Sequence, residues 1–251
     1  MISIYINYFA PAHIFKNEYL TPIQVGKAGS KHDLKILGDD EGDNISSRNA
    51  EFCELTGQYY VWKNQPGQQY YGFMHYRRLL DLSLDESRKT DVHGLIPIPA
   101  PYPSLLHDFG LDEASIERAL EGCDAIVPRA FDVTSLSAPS VREQYRTAPY
   151  HFVDHLDLAG KIIDELQPSY SRFFKKAIHG KYLYPNNIFI FNEKLFNEYS
   201  EWLFGILFEL DRRIDVSDCS WQEKRAIGYV AERLFTIFVL KKIEDKDVRF
   251  K

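Results

Sequence analysis

Apolar positions along the chain recur with two periods. Short apolar runs of strand length occupy residues 2–7, 70–75, 124–128 and 187–191. A further short strand is expected over residues 23–29, ending at glycine. Elsewhere apolar residues return every three or four positions, the spacing that gathers them on one face of a helix. Phe52, Leu55, Tyr59 and Trp62 predict such a helix over residues 48–63. Residues 111–121, 157–166 and 169–177 predict three more, the last two parted by Pro168. Leu195, Tyr199, Trp202, Ile206 and Leu210 mark a long helix. Asn192 is suited to cap it, because an asparagine oxygen accepts one of the unpaired N–H groups of a first helical turn. Ile227, Val230, Leu234 and Phe238 mark a last helix.

Two stretches break the pattern. Residues 37–49 are polar and predict a loop, with Asn44, Ser46 and Ser47 as candidate caps for the helix after it. Residues 95–106 carry Pro97, Pro99, Pro101 and Pro103 and predict an extended segment, since proline has no N–H for a ladder. Strands alternate with helices, and neither an internal repeat nor a linker is evident. The expectation is α/β: one domain over residues 1–251 with a mixed sheet and a mostly helical C-terminal third.

Composition narrows the class. Among 251 residues, 45% are hydrophobic and 26% charged, which excludes a disordered or collagenous chain. Thirty Lys+Arg against 36 Asp+Glu give a net charge of −6, which argues against nucleic acid as a partner. Cys53, Cys123 and Cys219 are far apart, so neither a disulfide framework nor a cysteine zinc site is expected. No basic segment precedes the apolar start, and the longest apolar stretch, residues 195–210, is interrupted by Glu198, Glu201 and Glu209. These features predict a soluble protein of a reducing, cytoplasmic compartment.

Candidate chemistry concentrates at one strand end. His75-Tyr76-Arg77-Arg78 directly follows a predicted strand, and in open α/β sheets ligands bind beyond the carboxyl ends of strands. Two guanidinium forks suit a diphosphate or a carboxylate. The alternative is that the arginines pair with the acidic residues 39–43 or sit on a solvated edge. Those acidic residues, as oxygen ligands, are themselves a candidate for a divalent cation, although without EF-hand spacing a solvated loop is the commoner reading. His151 and His155 are four apart, one face of a helix, but lack the glutamate of a zinc-protease motif. An acceptor-binding or structural role is the reading for both. The glycine signatures of serine hydrolases, P-loops and dinucleotide-binding folds are all missing. Glu232-Arg233 sits within the last helix.

An ordered set of motifs adds a resemblance. Pro22-Ile-Gln-Val-Gly, Asp39-Asp-Glu-Gly-Asp-Asn-Ile-Ser, Glu54-Leu-Thr, Tyr60-Val-Trp-Lys-Asn and Gly72-Phe-Met-His-Tyr-Arg-Arg are followed by Asn187-Ile-Phe-Ile, the stretch from Tyr199, and Gly228-Tyr-Val-Ala-Glu-Arg-Leu. Together they resemble the family catalogued as domain of unknown function 4422, found in bacterial capsular, exopolysaccharide and O-antigen gene clusters. The resemblance implies a single GT-A-like glycosyltransferase domain. It would move galactose, in pyranose or furanose form, from a UDP-sugar to a surface-polysaccharide or lipid-linked glycan. Residues 1–130 would bind the donor, and residues 131–245 the acceptor.

Carried onto this chain, the resemblance implies that Gln24, Val25, Gly26, Asp40, Asp43, Asn44 and Arg48 lie at the nucleotide. His75, Arg77 and Arg78 would neutralise the diphosphate in place of a metal, so no cofactor is expected to be required. Asn186 and Asn187 would contact the sugar, with His151 and His155 on the acceptor side. Glu232 would act as the base of an inverting reaction, with Asp157 and Asp154 next in order; a retaining reaction would need no such base. Peripheral attachment to a membrane face is a further expectation, which Lys175-Lys176 and Lys241-Lys242 could assist, although simple surface solvation is the favoured role of both pairs. The alternative is a non-catalytic nucleotide-sugar or glycan-binding module that partners another transferase.

Overall fold

The computed structural model describes residues 1–83, 85, 87–89, 91, 96 and 101–251. Its strands are β1 (Ile2–Tyr8), β2 (Leu20–Gln24), β3 (Leu37–Gly38), β4 (Tyr70–His75), β5 (Ala125–Ile126), β6 (Phe131–Asp132), β7 (Tyr182–Leu183) and β8 (Phe189–Asn192). Its α-helices are α1 (Asn49–Phe52), α2 (Leu55–Asn64), α3 (Leu105–Asp108), α4 (Glu113–Leu120), α5 (Val141–Thr147), α6 (Val153–Leu166), α7 (Ser171–His179), α8 (Glu193–Arg213) and α9 (Ala226–Asp245). The main sheet is ordered β3-β2-β1-β4-β8-β5. Strands β3, β2, β1 and β4 are mutually parallel, and β8 runs antiparallel to both β4 and β5. β6 and β7 form a separate antiparallel ribbon. The chain is thus a mixed α/β fold with a helical C-terminal region, as its pattern predicts.

The sheet is buried on both faces, which is why its strands read as continuous apolar runs. Side chains alternate across the pleat. Ile4, Ile6 and Tyr8 of β1 join Met74 and Ile190 in a core with Leu105, Phe109 and Ile116. Tyr5 faces the other way, with Phe73, Phe189 and Phe191, into the larger core built by α2 and α6–α9. There Phe189 lies 5.7 Å from Phe235 and Tyr199 packs 4.9 Å from Phe238, ring to ring, so α8 and α9 are fixed to the sheet by aromatic contacts.

Several predicted elements are placed differently. β2 begins at Leu20 rather than Ile23 and ends before Gly26. β3 pairs only with Ile23 and Gln24, so Pro22 lies where one side of β2 has no ladder to complete. The polar loop over 37–49 contains β3 and a 3-10 turn. The helix expected over 48–63 is two helices broken at Cys53, whose φ of 53° lies in the left-handed region. The Nδ2 of Asn49 donates to the Cys53 carbonyl at 2.6 Å and secures the break. Of the proline-rich stretch, Leu95, Pro97 and Pro99 lie outside the described residues; Pro101 and Pro103 lead into α3, where an extended segment was expected. Asn192 caps α8 as predicted, its Oδ1 accepting the Leu195 N–H at 2.9 Å.

Candidate functional site

Topology gathers the site at one sheet edge. Tyr8 pairs with Gln24 and Asn7 with His75, so the parallel strands end together. β8 runs the opposite way and therefore starts at that same edge, where Asn186 (φ 67°) and Asn187 (φ 50°) turn the chain into it. Asparagine is among the few residues that tolerate left-handed positions. The break between α1 and α2 brings Asn49, Cys53 and Glu54 alongside, and the start of α9 adds Arg225, Gly228, Tyr229 and Glu232 at the 3-4-7 spacing of one helix face. Together with Asn7, Val25, His75, Arg77 and Arg78 these residues line a cavity of about 140 Å³, with the exposed rings of Phe9 and Trp221 at its mouth. Gly228 is required there, because a side chain would meet the Cys53 sulfur at 2.8 Å.

The cavity is rich in arginines that, among the described residues, make no carboxylate ion pair. A tight turn follows β4: the His75 N–H donates to the Arg78 carbonyl at 3.0 Å, and the Arg78 N–H to the His75 carbonyl at 2.7 Å. This reversal aims Arg77 and Arg78 at the cavity. Arg77 rests on Phe9 at 5.1 Å, and Arg225 on Trp221 at 5.5 Å. Among the described residues none of Arg77, Arg78 and Arg225 is ion-paired with a carboxylate, so the expected alternative of pairing with residues 39–43 is not what the structure shows. His75 adds no charge. Burial, with Arg78 and Arg77 beside it, pushes its imidazole down to about 3. Its Nδ1 accepts the Arg77 N–H at 3.3 Å, which leaves Nε2 as the protonated nitrogen facing away.

Two carboxylates share the cavity. Glu54 accepts from Asn187 Nδ2 at 3.0 Å, and the Asn187 Oδ1 is buried without a partner. Glu232, with 26% of its side chain exposed, accepts from Arg233 at 3.0 Å. Burial raises the Glu232 carboxyl above its ordinary value of 4.5; Arg233 opposes the rise, and the neighbouring Glu54 adds to it. Arg233 is only 3% exposed and is held over the Tyr145 ring and by Gln144 Oε1 at 2.7 Å. Glu232, Arg78, Asn186 and Tyr229 also form one wall of a second cavity of about 440 Å³.

The predicted site residues divide into two groups. Val25, His75, Arg77, Arg78, Asn186, Asn187 and Glu232 line the first cavity, and His151 lines the second. The others lie elsewhere. Gln24 is fully buried and bonds the His32 carbonyl and the Leu34 N–H. The Gly26 N–H donates to Asp39, and a side chain at Gly26 would collide with Asn49 at 2.5 Å. Asp40 pairs with Lys27 at 3.3 Å, Asp43 accepts from Tyr59, and Asn44 bonds within its own turn. Arg48 reaches Asp211 at 2.8 Å. Asp157 holds Arg142 through two bonds of 3.0 and 2.6 Å, and Asp154 is exposed. His151 precedes α6 while His155 lies within it, so they do not share a helix face. Lys242 is buried against Glu198, and Lys176 and Lys241 are paired with Glu244 and Asp245.

Sequence reasoning overlooked Asn7, Glu54, Arg225 and Tyr229. Standing just before the starts of α2 and α9, Glu54 and Arg225 look like ordinary surface charges. The available signal was the shared helix face of Arg225, Tyr229 and Glu232. Asp39 was also overlooked as a structural residue: it is fully buried and accepts the N–H groups of Gly26 and Lys27, fixing the loop after β2.

Comparison with known proteins gives the wider setting. Residues 3–243 match the family model described as domain of unknown function DUF4422. The chain belongs to this family. A solved structure of WbbM, a bifunctional glycosyltransferase in its apo form, matches the DUF4422 chain with a TM-score of 0.94 and 36% identity, covering 100% of this chain and 44% of that one. The chain therefore spans less than half the length of that relative. No curated protein matches. Among the described residues, no group of three or more His, Cys, Asp or Glu is placed to hold a metal ion, and no helix is long and apolar enough to cross a membrane.

Proposed function

We propose that this DUF4422 protein is a nucleotide-sugar-dependent glycosyltransferase of GT-A-like architecture, with the first cavity as its donor site. One observation carries the reading. Three arginines without carboxylate ion pairs among the described residues converge with a half-buried glutamate at the carboxyl edge of the parallel strands. The likeness to a bifunctional glycosyltransferase along the whole of this chain supports it.

Breaking a sugar–diphosphate bond leaves negative charge on the departing oxygen, and fixed cations there stabilise the transition state. Arg77, Arg78 and Arg225 take that role in place of a metal. His75, neutral in the free protein, serves as a hydrogen-bond donor. The diphosphate and sugar occupy the enclosed part of the cavity, and the nucleoside lies across the open mouth at Phe9 and Trp221. Glu54 and Asn187 face the sugar hydroxyls as acceptors. Glu232 takes the proton of the attacking hydroxyl as the new glycosidic bond forms at the anomeric carbon; the pair of electrons of the broken bond leaves on the diphosphate. The donor is a UDP-sugar, most simply UDP-galactose in either ring form, and the acceptor a surface-polysaccharide or lipid-linked glycan. Residues 1–130 supply most of the donor side and residues 131–245 the acceptor side, with Asn187, Trp221 and Arg225 crossing over.

The test is UDP release from a panel of UDP-sugars with and without chelator, in the wild type and in Arg77→Ala and Arg78→Ala. Turnover that persists in chelator and falls roughly a hundredfold in the arginine variants is expected, the scale of losing a group that stabilises transition-state charge. Full activity in both variants, or complete loss on chelation, would reject the arginine mechanism. No turnover with any donor would favour a binding module.

A further inference from the structure

The second cavity is unclaimed by the donor. It shares the wall of Glu232 and Arg78 and extends to α5 and to the ribbon of β6 and β7. Its lining mixes two kinds of chemistry. Polar and charged groups come from Gln144, Arg78, Arg233 and Glu232, and apolar ones from Leu136, Ala138 and Leu183. Among the polar groups the hydrogen-bonding capacity is unevenly used. Gln144 Oε1 is occupied by Arg233, which leaves the amide Nε2 as a donor, and the Arg233 Nε is buried without a partner. Glu232 is the acceptor. Such a surface suits a ligand that gives up one proton to a carboxylate and presents further oxygens to N–H donors. The apolar part of the lining suits a C–H face. A saccharide combines both properties. A phosphate or carboxylate ligand would instead place its charge against Glu232. Of the two arginines in the lining, Arg233 is already paired with Glu232 and Arg78 is shared with the donor cavity, and His151, pushed down to about 4 by burial, adds no cation.

We infer that the second cavity is an acceptor subsite that binds one end of a saccharide, its reacting hydroxyl at Glu232 and its C–H face on Leu136 and Leu183. The inference rests on the transferase reading above and extends it from donor to acceptor. The ring of His151, stacked on Tyr229 at 4.0 Å and edge-on to Tyr145 at 4.6 Å, keeps the shared wall rigid between the two cavities. Glu232 then stands where a hydroxyl from one cavity meets an anomeric carbon from the other.

The test uses methyl hexopyranosides as acceptors and UDP-galactose as donor, comparing the wild type with Leu136→Asp and Gln144→Ala. Leu136 is 40% exposed, so its replacement leaves the core intact. The ratio of transfer to donor hydrolysis is expected to fall about tenfold in both variants, with the acceptor KM rising, the signature of lost acceptor binding. An unchanged acceptor KM in both variants for every glycoside that the wild type uses would overturn the inference. If the wild type neither hydrolyses nor transfers, the donor assignment fails, and the cavity is tested by binding alone. Glycosides should then shift the His151 imidazole resonances in the wild type but not in Leu136→Asp; no shift in the wild type overturns it.

Discussion

At the scale of single residues, Glu232 and His75 matter most, each for a different reason. Burial raises the Glu232 carboxyl, so the fraction ionised, and with it turnover, should rise with pH through a value above its ordinary 4.5. Glu232→Gln removes the base and is expected to lower turnover by roughly 10²–10⁴-fold while UDP still binds. Steady-state kinetics beside calorimetric UDP titration measure both; wild-type turnover in the variant would sink the assignment. His75 bears on stability instead. Its imidazole lies at about 3 in the folded protein, below its ordinary 6.5. Between those values the unfolded chain binds the extra proton, so the contribution is full above 6.5 and is lost as pH falls towards 3. The melting temperature should drop on acidification, and less steeply in His75→Asn. Equal slopes for the two proteins over about pH 7 to 5 would contradict it.

At the scale of elements, the balance between what the sequence revealed and what it hid has a physical basis. β1, β4, β8, α8 and α9 were legible because each buries a face or both faces against a neighbour, and burial imposes its period on the residues. Asn192 was legible as a cap for the same local reason. Asn192→Ala should cost about 1 kcal/mol by urea denaturation, with the m-value unchanged; an unaltered midpoint would show that the cap bond to Leu195 contributes nothing. The break at Cys53 was hidden, since it depends on the Asn49 side chain folding back onto a carbonyl and on Gly228 of a distant helix leaving room for the sulfur. The acidic loop is a different case. Asp39, Asp40 and Asp43 resemble ligand carboxylates in sequence, yet their bonds go to Gly26, Lys27 and Tyr59.

At the scale of the whole molecule, the candidate site exists because the sheet changes direction at β8. Parallel strands deliver Asn7, Val25 and His75 to one edge, and the antiparallel strand brings Asn186 and Asn187 back to it. Periodicity reports which face of a helix is buried but not what that face meets, so Glu54 and Arg225 could be placed only once the chain was folded. Arg77 and Arg78 were recognisable because a strand end is both a local feature and a global one. The net charge of −6 gives no hint of three arginines in one cavity that make no carboxylate ion pair among the described residues. The proposed function stands or falls on these arginines holding a nucleoside diphosphate. A crystal structure with UDP bound is the decisive measurement. Phosphate oxygens are expected within hydrogen-bond distance of Arg77, Arg78 and Arg225, with Glu232 facing the β-phosphate end. A diphosphate bound outside this cavity, or held by a metal on carboxylates with the three arginines uninvolved, would contradict the arginine mechanism.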